Sequence, residues 1–135
     1  MLEQFPTEVK LVHKDGPLSG HPLSRQASIA ALAAGEQKKY WEYHDKIMKN
    51  MPALTSESFV AFARELGLDL DAFKKSLADP KHEKHIEKDM QDAVNAGAAG
   101  RPSIFVNGQL FSGRPLTLDA FKAVITEELQ KIKMK

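Results

Sequence analysis

The chain has 135 residues, 42% of them apolar and 27% charged, which fits one soluble globular domain and argues against disorder. Nineteen basic against eighteen acidic residues leave a net charge of +1, too even to favour a nucleic-acid partner. No apolar run approaches the roughly 20 residues that span a bilayer, so no membrane partner is expected, and the first residues carry no export signal. The absence of cysteine excludes disulfides, thiolate nucleophiles and cysteine-ligated zinc together.

Glu8-Val9-Lys10-Leu11 alternates charged and apolar side chains, and with Val12 predicts a short strand between Pro6 and Asp15-Gly16-Pro17. From Pro22 to about Asn95 the pattern is helical. The first helix carries Leu23, Ala27, Ala30, Ala31 and Ala34 on one face and stops at Gly35, its small residues pointing to close packing. Tyr40, His44, Ile47, Met48 and Met51 mark a second helix closed by Pro52, with core packing expected of the aromatic and methionine side chains. Thr55 or Ser56 offers an N-cap for a third, striped by Phe59, Phe62, Ala63 and Leu66 and ended by Gly67. Asp69 to Asp79 predicts a fourth, holding Phe73 and Leu77. Pro80 opens a fifth whose buried edge is read as Ile86, Met90, Val94 and Gly97.

After Gly97-Ala98-Ala99-Gly100 the period changes. Ile104-Phe105-Val106 and Gln109-Leu110-Phe111-Ser112 flank Asn107-Gly108, a pair suited to the positive φ angles of a type I′ hairpin turn. Thr117 caps a last helix with Leu118, Phe121, Val124, Ile125, Leu129 and Ile132 facing inward and lysines near its C-terminal end.

Chemistry-bearing motifs are sparse. His82-Glu83-Lys84-His85 has metal-site residue types but not the His-Glu-x-x-His spacing, and its neighbours, Lys88 and Asp92 among them, describe a solvated face. No metal site is therefore expected. Ser24, Ser28 and Ser103 sit in no Gly-x-Ser-x-Gly turn, and Gly97 and Gly100 lack the spacing of a phosphate loop.

Taken together, Val9 to Asp15, His21-Pro22, Ala33-Ala34-Gly35-Glu36, Tyr40-Trp41-Glu42-Tyr43-His44-Asp45 and Gly100-Arg101-Pro102-Ser103-Ile104-Phe105-Val106-Asn107-Gly108 resemble the DsbA-like family of thioredoxin-fold thiol:disulfide oxidoreductases. The resemblance runs from about Leu2 to about Leu129. It implies an α/β, incomplete thioredoxin-like fold with a helical insertion: one domain over 1–135, with core parts at 1–20 and 98–135 and the insertion at 21–97. Members carry a further strand and a Cys-x-x-Cys pair ahead of the point matching Leu2. The chain is thus expected to be a truncated, redox-inactive form with no catalytic residue and no cofactor, since exchange needs a thiolate. The missing strand would leave open sheet edges, from which self-association is expected.

Arg101-Pro102 resembles the family's X-cis-Pro element, which implies a substrate-binding loop of Arg101, Pro102 and Ser103 presenting backbone to an extended peptide or protein substrate. His21 resembles a family position where the helical insertion begins. Exported relatives imply a periplasmic or other extracytoplasmic parent. Two alternatives remain open: a non-catalytic peptide-binding module, and a glutathione-dependent isomerase of the same fold.

Overall fold

The computed structural model describes residues 2–17, 22–98, 100, 102–112 and 115–134. The chain forms two compact units, one of Met1–His13 with Ala93–Lys135 and the other of Lys14–Asp92.

The Lys14–Asp92 unit is helical. Helix α1 spans Pro22–Gly35, α2 Tyr40–Asn50, α3 Ser58–Glu65 and α4 Leu70–Leu77, while α5 spans Pro80–Asn95 and extends past the unit boundary. A single 3₁₀ turn, Met51–Ala53, follows α2. Ala30, Ala33 and Ala34 have no exposed surface, so small side chains let α1 sit close against Tyr43, Phe59, Phe62 and Phe73. The rings of Tyr43 and Phe73 lie 5.7 Å apart and those of Tyr43 and Phe62 6.1 Å apart, the latter edge to face. Asp69 caps α4 by accepting from the Ala72 amide at 3.1 Å. Gly67, at φ +73°, supplies the left-handed residue that stops α3.

The other unit holds a two-stranded antiparallel sheet, β1 Phe105–Val106 and β2 Gln109–Leu110, with Phe105 opposite Leu110 and Val106 opposite Gln109. Asn107 at φ +49° and Gly108 at φ +80° form the turn between them, as the type I′ pattern requires. The Phe111 amide donates to the Ile104 carbonyl at 2.7 Å, prolonging the pairing by one bond. Helix α6, Leu118–Lys133, starts where Thr117 Oγ1 accepts from the Ala120 amide at 3.2 Å. Phe111 and Phe121 stack with centroids 4.3 Å apart, joining the end of the hairpin to α6.

Several expectations need correction. Val9–Val12 is not a strand, and Ile104–Val106 shares no sheet with it; among the described residues the sheet has only β1 and β2. Leu11 and Val12 are exposed, and an apolar alternation becomes a strand only where a neighbour takes up its backbone groups. Helix α3 begins at Ser58, after Glu57, and neither Thr55 nor Ser56 caps it; instead the Thr55 amide donates to Ser58 Oγ at 3.0 Å. The buried edge of α5 is His82, Ile86 and Asp89, whereas Val94 is 70% exposed and Gly97 lies beyond the helix at φ +78°. Met48 and Met51 are exposed rather than filling the core, and on α6 Leu118 and Ile132 are exposed while Ile125 is buried.

Candidate functional site

Two regions bring polar chemistry together. The first is the loop entering the hairpin. Arg101 lies outside the described residues, as does His21. Pro102 is exposed and Ser103 half-buried. Ser103 Oγ donates to the Gly100 carbonyl and accepts from the Gly100 amide at 3.4 Å, so the hydroxyl is spent on holding its own loop. Below the turn, Asn107 Nδ2 donates to Glu128 Oε2 at 3.2 Å, and Lys131 reaches Glu128 Oε1 at 2.7 Å. Those two bonds, Lys131's first, hold the Glu128 carboxyl below its usual range. Nothing in this loop supplies an activated nucleophile. What it offers is an exposed proline and a short sheet whose β2 side chains are exposed.

The second region lies on α1, α2 and α5. Leu32, Gly35, Glu36, Tyr40, Lys81, His82 and His85 line an open groove of about 460 Å³. His82, read from sequence as part of a solvated face, is buried: its Nε2 lies 2.8 Å from Ser76 Oγ and 3.0 Å from Glu36 Oε1. A serine–histidine–acid relay places serine and acid on opposite ring nitrogens, and here both sit at one, so this trio is structural. Lys81 pairs with Glu36 at 2.7 Å, the chief reason the Glu36 carboxyl titrates below its ordinary range.

His85, one of the groove's lining residues, also meets Asp15 and Asp89, with one ligand-type atom from each lying within 4.8 Å of the others. Asp89 is 4% exposed and Asp15 7%. Asp89 Oδ2 accepts from the Asp15 amide at 3.0 Å and faces His85 Nε2 at 3.3 Å. Lys14 reaches Asp92 at 3.0 Å and Asp89 Oδ1 at 3.6 Å, while Lys88 holds Asp92 at 2.9 Å. The Tyr40 hydroxyl keeps its proton far above the ordinary range, through burial first and then the nearby Asp15 and Asp89 charges. Sequence pattern could have paired His85 with Asp89, four apart on a helix; nothing in it could have brought Asp15 across 74 positions.

Comparison with known proteins decides the ancestry. The family model of the DSBA-like thioredoxin domain matches residues 7–125. The chain belongs to that family. In fold it resembles the crystal structure of the thiol-disulfide exchange protein alpha-DsbA2 from Wolbachia pipientis, with a TM-score of 0.77 at 24% identity, over 93% of this chain and 70% of that one. The fold is thus thioredoxin-like in the DsbA manner, mostly helical with a small two-stranded sheet.

Among curated proteins, the "Na(+)/H(+) antiporter NhaA 3" of Salinispora tropica is 35% identical over 120 residues, 88% of this chain but 18% of that protein. "Probable disulfide bond formation protein D" of Bacillus anthracis is 28% identical over 123 residues, 82% of this chain and 55% of that protein. The DsbA-like chain therefore spans under a fifth of the first relative and about half of the second. Among the described residues no helix is long and apolar enough to cross a membrane.

Proposed function

We propose that residues 1–135 supply a polypeptide-binding face of the DsbA-like scaffold and perform no thiol-disulfide exchange themselves. The observation carrying this reading is a family match over residues 7–125 in a sequence with no cysteine. Disulfide exchange proceeds by attack of a thiolate on sulfur, and neither Ser103 nor any other residue here can replace it. A longer reading frame placing a Cys-x-x-Cys helix before Met1 would add thiol chemistry to the whole protein; the inertness proposed is that of these 135 residues.

The binding element is the loop of Arg101, Pro102 and Ser103 with the following hairpin. Proline cannot donate an amide, so a bound extended peptide would pair with the neighbouring backbone, as in strand addition to a sheet edge. A cis bond before Pro102 belongs to this reading. Self-association through the same short sheet is the remaining partner reading, and sedimentation at two concentrations decides it: a concentration-independent monomer removes it.

The test uses the full chain. In an insulin-reduction assay with dithiothreitol it should add nothing to the background rate; acceleration would overturn the inertness. Titration with an unfolded, cysteine-free peptide should move the amide resonances of Ser103, Ile104 and the β2 residues. Silence there at millimolar peptide would overturn the binding.

A further inference from the structure

We propose that Asp15, His85 and Asp89 form a binding site for one divalent transition-metal ion of the zinc class, separate from the hairpin loop. The donor set is mixed, one imidazole nitrogen with carboxylate oxygens from two aspartates. Imidazole suits zinc and its first-row neighbours, whereas calcium and magnesium take oxygen ligands alone.

Geometry carries the proposal. Two ligands bound about 2.1 Å from one tetrahedral ion stand about 3.4 Å apart, and His85 Nε2 already lies 3.3 Å from Asp89 Oδ2. No two donors of one ion can be separated by more than about 4.2 Å, twice that bond length. With all three donor atoms within 4.8 Å of one another, closing to the tetrahedral spacing takes at most about 1.4 Å of side-chain adjustment, shared between two side chains. His85 and Asp89 are one turn apart on α5, so the helix fixes two of the three ligands. The bond from the Asp15 amide to Asp89 Oδ2 fixes the third beside them and orients the carboxylate, the role an outer hydrogen bond plays around a metal.

Electrostatics points the same way. Both carboxylates are more than nine-tenths buried, where like charges are costly unless positive charge stands close. One half-exposed lysine, Lys14, is shared between Asp92 at 3.0 Å and Asp89 Oδ1 at 3.6 Å, while Lys88 pairs with Asp92 at 2.9 Å. His85 is exposed and lines the groove, giving an ion and its remaining water ligands a path from solvent.

The experiment is calorimetric titration of the full chain with Zn²⁺ alone, repeated with His85→Ala, Asp15→Asn and, as a control for chance histidine binding, His13→Ala. One saturable equivalent is expected, weakened about tenfold or more in His85→Ala and unchanged in His13→Ala. Co²⁺ should give a visible ligand-field band in the parent chain that His85→Ala abolishes. His85 is exposed, so its removal leaves the fold intact even should Asp15→Asn fail to fold. Absence of saturable binding, or Zn²⁺ affinity and Co²⁺ band unchanged by His85→Ala, would overturn the site.

Discussion

The Tyr43 hydroxyl, on a side chain with no exposed surface, donates to the Phe59 carbonyl at 2.8 Å and so ties α2 to the first turns of α3. Its ring simultaneously meets Phe62 and Phe73, which makes Tyr43 the point where three helices share one side chain. Burial keeps the hydroxyl protonated well above its ordinary range, so the bond persists across all ordinary pH. Tyr43→Phe keeps the packing and deletes the donor. It should lower unfolding stability by about 1–2 kcal/mol, read by denaturant titration with an unchanged slope. A loss within error of zero would mean that water replaces the hydroxyl at the Phe59 carbonyl.

Acid should destabilise the chain through a definite set of carboxylates. Glu36 is held below its ordinary 4.5 mainly by Lys81, Asp79 below 3.8 mainly by the Lys81 amide, and Asp92 below 3.8 by Lys88 and then Lys14. A carboxyl whose pKa is lower folded than unfolded gives stability that is complete above the unfolded value and lost as pH falls through the folded one. The melting temperature should therefore hold steady from pH 7 to about 5 and decline below the ordinary carboxylate range. All three groups are well solvated, so the decline should be shallow and reduced by salt. Combining Glu36→Gln with Asp92→Asn should flatten it further. An undiminished slope in that double variant would assign acid sensitivity elsewhere.

The hairpin turn is the part of the molecule most plainly written in the sequence. Asn107-Gly108 demands positive φ at both positions, and the structure has both. An alanine at Gly108 meets no atom within 4 Å, so its cost is conformational alone, about 1 kcal/mol for an L residue held at φ +80°. Gly108→Ala should thus speed hydrogen exchange of the Phe111 amide without moving the Tyr43 region. Equal effects at both places would contradict independent opening of the hairpin.

Helix limits were legible for a similar reason: Gly35, Asp69, Pro80 and Thr117 act through local backbone geometry or a hydrogen bond three residues away. What failed was whatever depends on a distant neighbour. The alternation at Val9–Val12 is genuine, yet no strand pairs with it among the described residues. On α5 the helical period was correct and Ile86 is buried as expected, but the buried edge runs toward the N-terminal end of the helix rather than to Val94. Apolar Val94 reads as inward and polar His82 as part of a solvated face, because the His82 partners Ser76 and Glu36 come from elsewhere in the chain. The family resemblance survived these errors because it rests on the order of local motifs, while the Asp15, His85 and Asp89 cluster left only the i,i+4 spacing of His85 and Asp89 as a local trace.

Phe111 and Phe121 provide the last prediction, about what holds the hairpin to α6. Their rings stack at 4.3 Å with an interplanar angle of 23°, just beyond the last backbone bond of the sheet at Ile104 and Phe111. A two-stranded ribbon is marginal in water and needs a packing partner, so this stack should decide whether β1 and β2 persist. An offset aromatic pair adds about 0.5–1.5 kcal/mol beyond its buried area. In a double-mutant cycle, Phe111→Leu and Phe121→Leu should each weaken protection of the hairpin amides, with a coupling energy in that range. Additive effects would show that the two rings only fill space. The peptide binding proposed for Pro102 and Ser103 would then have to rest on a hairpin held by something else, the bond from Asn107 to Glu128 being the next contact to remove.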